Sequence, residues 1–224
     1  MMEAGVTAAE PFVFTGCVEV RQALQRTADD ERELMDRLEE VPTESIFYHT
    51  HGYFLRHRPI TTAYGNDFAA WVAVHVRDQA LSERLAVVNP FEYGSLELLR
   101  EELVTVVHDH LRRLRTVPRA EGGEPFHFQQ SEIVEVALGT PAVTLLEFRE
   151  GLASVDASAI YFHMVEARTR LGRRAGDFAE WLRSSLELPD LAERIERIDT
   201  YMTSLERVRA RVLSLVDVEL ERRG

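Results

Sequence analysis

Two histidine–arginine pairs are the residues best placed for chemistry in this chain. His49 and Arg56 lie seven residues apart, and so do His163 and Arg170. Seven residues make two helical turns, about 10 Å along the axis, so on a helix each pair shares one face. An imidazole and a guanidinium facing one cleft can hold a carboxylate or phosphate, and the imidazole can move protons near neutral pH. The plainer and favoured reading is a histidine bonded to the backbone and an arginine paired with an acid. Trp71 and Trp181 offer an aromatic platform for a sugar ring, although a Trp one turn from Phe68 or Phe178 belongs more naturally in a core. The six residues His49, Arg56, His163, Arg170, Trp71 and Trp181 form the candidate ligand-binding set.

Other polar residues carry weaker signals. Asp67 and Asp177 can be imagined as general bases, but each precedes a helical pattern and is expected to cap it; Glu180, three residues after Asp177, completes a capping-box spacing. His49, His51 and His57 cluster in sequence, and Glu166 stands one turn from His163, yet neither group supplies the three or four converging ligands that a metal demands. No metal or cofactor is expected. His108 and His110 are expected on a solvated helix surface. No nucleophile elbow or glycine-rich phosphate loop is present, so no catalytic residue is assigned.

Composition narrows the field further. The formal charge is −12 and the pI about 5.2, which argues against nucleic acid or an anionic membrane as partner. All 26 residues counted as Lys or Arg are Arg, so no Schiff base and no P-loop lysine can form. Cys17 is the single cysteine, which excludes an intrachain disulfide and suits a reducing cytoplasm. No apolar run reaches the length of a membrane span, and no signal peptide is recognisable; a cytoplasmic protein is expected.

The chain also repeats itself. Residues 11–56 align with 125–170 at a shift of 114, residues 67–92 with 177–202 at 110, and residues 95–113 with 204–222 at 109. These 91 pairs contain 27 identities. Ile46-Phe47-Tyr48-His49 meets Ile160-Tyr161-Phe162-His163, and Asp67-Phe68-Ala69-Ala70-Trp71 meets Asp177-Phe178-Ala179-Glu180-Trp181. A period near 110 is domain-sized rather than solenoid-like. The reading is a tandem duplication: helical repeats at 11–115 and 125–224, a Pro- and Gly-containing linker at 116–124, and a pseudo-twofold axis between them.

The elements that must position the candidate residues read as helical. Phe12 and Phe14, like Phe126 and Phe128, alternate as in a short extended segment. Helices are expected at about 17–26, 30–40 and from Thr43 onward, with counterparts at 131–138, 143–153 and from Asp156. A further helix follows Asp67 and Asp177, and a short one carries Leu81 and Leu85. A long amphipathic helix runs from Leu96, where Leu99, Leu103, Val107 and Leu111 recur at three- and four-residue steps. The predicted fold class is all-α, with five to six helices in each of two homologous domains.

At Ser45-Ile46-Phe47-Tyr48-His49 and Asp67-Phe68-x-x-Trp71 the chain resembles an uncharacterised bacterial and archaeal family known only as a domain of unknown function. The resemblance spans both copies and implies no activity, cofactor or catalytic residue. The expected function is non-catalytic: binding of a small molecule or a partner protein at the interface of the two repeats, in a monomeric pseudo-dimer or a homodimer. The competing expectation is an enzyme on a small anionic or sugar-like substrate, with His49 or His163 as acid–base and Arg56 or Arg170 as anion clamp.

Overall fold

A computed structural model describes residues 7–56, 64–168, 175–201 and 203–223. Strand β1 (Phe12–Ala28) opens the chain, followed by helices α1 (Glu31–Glu40), α2 (Thr43–His49), α3 (His51–Arg56) and α4 (Asp67–Trp71). A π-helical turn at Val72–Val76 leads to α5 (Gln79–Ala86) and the long α6 (Leu96–Leu111). Strand β2 (Phe126–Ala142) then begins a similar series: α7 (Leu145–Ser154), α8 (Ala157–Tyr161), a π-helical turn at Phe162–Glu166, α9 (Asp177–Ser184), α10 (Pro189–Glu196) and α11 (Leu205–Arg223).

The all-α expectation is corrected by the strands. Each is 17 residues long, and β1 pairs with β2 in a two-stranded antiparallel sheet. The helices expected at 17–26 and 131–138 do not exist; both stretches are strand. Local residue types misled here, because Gln22, Ala23, Leu24, Gln25 and Arg26 favour helix. The partner that satisfies their backbone lies about a hundred residues away, where no local pattern can register it. Much of each strand beyond its buried aromatics is exposed, so apolar alternation is not imposed there either.

Both strands break step at one matched point. Gln25 has φ 52° and Gly139 φ 66°, the left-handed region that a glycine enters freely and a residue with a Cβ enters at a cost.

The picture of two sequential all-helical domains about a pseudo-twofold axis falls with the fold class. The chain divides into two compact units that ignore the boundaries 11–115 and 125–224. One is Glu19–Glu132; the other joins Met1–Val18 to Ile133–Gly224. The stretch 116–124 lies within the 19–132 unit, where Ala120 N donates to Asp29 O at 2.8 Å and the backbones of Arg119 and Asp30 form an isolated antiparallel β-bridge.

In the 19–132 unit the core gathers Leu34, Leu38, Ile46, Phe68, Leu81, Leu85, Leu99 and Leu103 around Phe126 and Phe128 from β2. The α6 stripe read from sequence is the buried face: Leu99, Leu103, Val107 and Leu111 are all inside. The discontinuous unit buries Phe12 and Phe14 of β1 with Phe148, Leu152, Ile160, Phe178, Leu191 and Val212. Among the described residues no helix is long and apolar enough to cross a membrane.

Candidate functional site

The histidines are built into the anchoring of the strands. His49 leaves the end of α2 with Nδ1 2.9 Å from Asp67 Oδ2, while the backbone N–H of Gln129 in β2 donates to its Nε2 at 3.0 Å. His163 repeats the arrangement in the discontinuous unit: Nδ1 lies 2.8 Å from Asp177 Oδ2, and Thr15 N of β1 donates to Nε2 at 2.8 Å. An Nε2 that accepts a backbone N–H bears no proton, so in both rings the proton sits on Nδ1 and points at the aspartate. Burial pushes the His49 pKa down, against the pull of Asp67. With both nitrogens engaged, neither imidazole presents a free edge to a substrate.

The rest of the predicted set divides in the same way. Arg56 Nη2 meets Asp67 Oδ2 at 2.6 Å, Nη1 donates to Tyr48 O at 2.8 Å, and its guanidinium lies 3.8 Å over the Tyr48 ring. It also contacts Glu19 Oε1 at 3.3 Å. These groups cross so closely above Gly52 that a Cβ there would stand 2.8 Å from Arg56 Nη1. Trp71 Nε1 donates to Glu124 O at 3.1 Å and Trp181 Nε1 to Glu10 O at 2.7 Å, each just before the strand its unit must hold. Both indoles are buried against Phe126 or Phe12 and offer no open face for a sugar. Arg170 and His57 lie outside the described residues.

The structure thus gathers His49, Arg56 and Trp71 around β2, and His163 and Trp181 around the start of β1. The aspartates are not the caps that their position suggested. Asn66 caps α4 through Ala69 N, and Gly176 begins α9 without a side-chain cap, which leaves the Asp67 and Asp177 carboxylates for the histidines.

Two polar sites escaped sequence reasoning. The first brings together Glu31, Asp78 and His110 in the 19–132 unit. Glu31 is the first residue of α1, Asp78 the N-cap of α5, and His110 sits in the last turn of α6. His110, expected on a solvated surface, is buried, with Nε2 3.0 Å from Asp78 Oδ2 and 3.8 Å from Glu31 Oε2. Glu31 is 0% exposed, and neither carboxylate oxygen has a hydrogen-bond partner. Burial, reinforced by the charges of Asp78 and Asp30, pushes its pKa from 4.5 up to about 8.

The repeat held a usable signal for this cluster. The residues matched to Glu31 and Asp78 are Leu145 and Leu188, so a polar group stands where the same kind of position elsewhere in the chain is apolar.

The second site is a pocket of about 520 Å³ in the discontinuous unit, open to solvent. Arg194 of α10 and Arg197, the residue that caps its C-terminus, line one side, and Ile198, Asp199 and Thr203 line the connection. Arg207, Val208, Arg211 and Leu215 follow one face of α11. Arg197 pairs with Glu193, and Asp199 Oδ1 accepts from Tyr201 N at 2.9 Å. Among the described residues Arg194, Arg207 and Arg211 have no acidic partner. The position matched to Arg194 is Arg84, but those matched to Arg197, Arg207 and Arg211 are Val87, Leu98 and Glu102, so three of the four lining arginines are peculiar to one unit.

Fold and sites together describe a mixed helical protein with one two-stranded ribbon, in which His49 and His163 brace strands and the unpaired charges among the described residues lie elsewhere. The sequence model of a family of unknown function (DUF5752) matches residues 9–217, and the chain belongs to that family. Its fold is also that of a solved structure described as the structure of OrfY from Thermoproteus tenax. The two share 27% identity over 95% of this chain and 96% of the other, with a TM-score of 0.78. No match is found among curated proteins.

Proposed function

We propose that this chain is a non-catalytic binding protein whose ligand is a small, multiply charged anion bearing phosphate or carboxylate groups. The observation that carries this reading is the concentration of four arginines around one pocket, three of them without an acidic partner among the described residues, in a chain of net charge −12. Three arginines outnumber Asp199, the one acid in the lining, and a bound anion with several oxygens relieves their mutual repulsion while accepting the planar donors of more than one guanidinium. Arg207 and Arg211 stand one turn apart on α11 and Arg194 faces them from α10, a spacing suited to an anion with two charged groups rather than one.

An enzyme reading that uses His49 or His163 as acid–base needs a free ring nitrogen, and in both rings the two nitrogens are bonded within the protein, which favours the binding reading.

The test is thermal melting with inorganic pyrophosphate, and separately with citrate, at constant ionic strength. A saturating anion, near 100 times its Kd, is expected to raise the Tm by about 5–10 °C for a chain of this size. Arg207→Ala combined with Arg211→Ala should fold and lose that rise. An equal shift with sodium chloride, or an unchanged shift in the double variant, overturns the reading.

A further inference from the structure

We infer that Glu31, Asp78 and His110 form a binding site for one divalent transition-metal ion of the zinc class, through one imidazole nitrogen and two carboxylate oxygens. Three observations carry it. The first is spacing. Ligand atoms at about 2.1 Å from a tetrahedral ion stand roughly 3.4 Å apart. His110 Nε2 lies 3.0 Å from Asp78 Oδ2 and 3.8 Å from Glu31 Oε2, and one ligand atom from each residue falls within 4.8 Å of the others. A shift of a few tenths of an ångström converges them on one centre.

The second is the state of Glu31. Its side chain is wholly buried and aimed at His110, and neither oxygen is hydrogen-bonded. Buried polar atoms are almost always paired, so an unpartnered carboxylate that faces a histidine and a second carboxylate is missing a partner of positive charge. No arginine fills that role, since among the described residues Glu31 makes no ion pair except the long contact to His110.

The third is that the fold does not require this cluster. At the matched positions Leu145 begins α7 and Leu188 precedes α10, while Glu219 turns to Arg222 and Arg223. Apolar residues do the packing there, so the polar trio is an addition to the architecture.

The ligands come from three separate helices and are individually oriented. Asp78 commits Oδ1 to Leu81 N at 2.9 Å as the cap of α5, which leaves Oδ2 for the ion. His110 would bind through Nε2 with its ring proton on Nδ1, and Glu31 would bind as the carboxylate, so metal affinity falls as pH drops. The Asp78 and His110 side chains are 15% and 8% exposed, which marks the route of entry and the place for a water as fourth ligand.

The test uses the full chain, stripped with a chelator and titrated with Zn²⁺, followed by calorimetry and by the visible spectrum of the Co²⁺ form. Wild type is expected to bind one ion and to show the intense absorption of four-coordinate Co²⁺. Glu31→Leu, which copies the residue at the matched position, and His110→Gln are each expected to weaken Zn²⁺ binding by at least about 100-fold, more than the loss of an outer-shell partner, with the helical circular dichroism unchanged. Absence of stoichiometric binding in wild type overturns the inference. So does binding that survives in both variants, or Ca²⁺ and Mg²⁺ competing as well as Zn²⁺, which would remove the nitrogen ligand from the argument.

Discussion

Replacing Glu31 by leucine should make the metal-free protein more stable, and the size of the gain follows from the buried carboxyl. The group titrates near 4.5 when the chain is unfolded and is pushed up to about 8 in the fold. Folding at pH 7 therefore requires it to take up a proton, at a cost of about 3 kcal/mol when each pH unit above 4.5 contributes about 1.36 kcal/mol. A carboxyl with a raised pKa leaves the fold least burdened below the unfolded value, and the cost grows as pH rises toward 8. Wild type should thus lose about 2 kcal/mol between pH 6.5 and pH 8 from this group alone.

Glu31→Leu removes the titration and places an apolar side chain where its counterpart Leu145 is buried. Urea unfolding with chelator present, at several pH values from 6 to 9, measures both effects. The expected result is a variant more stable by up to about 3 kcal/mol at pH 7, with the wild-type-minus-variant difference widening as pH rises. Glu31→Gln should flatten the same slope with a smaller gain, because its amide stays unpaired. A variant less stable than wild type at pH 8, or a difference independent of pH, refutes the reasoning.

Three further outcomes follow from the same structure. His51 is buried between Phe47 and Phe91 with its pKa pushed down to about 3; the unfolded chain therefore takes a proton that the fold refuses, and stability should fall by about 2 kcal/mol between pH 6.5 and pH 5. That loss runs opposite to the Glu31 contribution over this range, so it should stand out in pH-dependent urea melts of Glu31→Leu and be absent after a second change, His51→Phe. His49→Leu leaves the Gln129 N–H and the Asp67 carboxylate short of a partner and should cost about 2–4 kcal/mol in urea unfolding; a cost below about 1 kcal/mol would show that the histidine does not brace β2. At the matched left-handed positions, Gln25→Gly should stabilise by about 0.5–1 kcal/mol while Gly139→Ala destabilises by about 1 kcal/mol or more, and equal signs in calorimetric melting would contradict the strain argument.

The candidate site was legible in part, and the particular residues explain where legibility stopped. His49 and Arg56 both reach Asp67 Oδ2, but not along the single helix that their spacing implied, because α2 ends at His49 and α3 begins at His51. That Asp67 would join them, and that a strand N–H from Gln129 would close the second ring nitrogen, depended on residues 18 and 80 positions away. The same holds for His163 with Thr15, 148 positions away. His110 looked like a surface residue because the alternation of α6 cannot show that Asp78 and Glu31 arrive beside it.

By itself the sequence determined the long amphipathic helix and its buried leucine stripe, the burial of Phe68 and Trp71, the acidic balance and the lack of lysine. All of these rest on short-range periodicity or on composition. Only the tertiary structure decided that residues 17–26 and 131–138 are strands, that the compact units are 19–132 and a discontinuous remainder, and that among the described residues Glu31, Arg207 and Arg211 lack ionic partners at short range. The physical reason is the same in each case. A strand is completed by hydrogen bonds to a distant segment, and a buried charge is defined by what surrounds it, and neither is written in the residues next door.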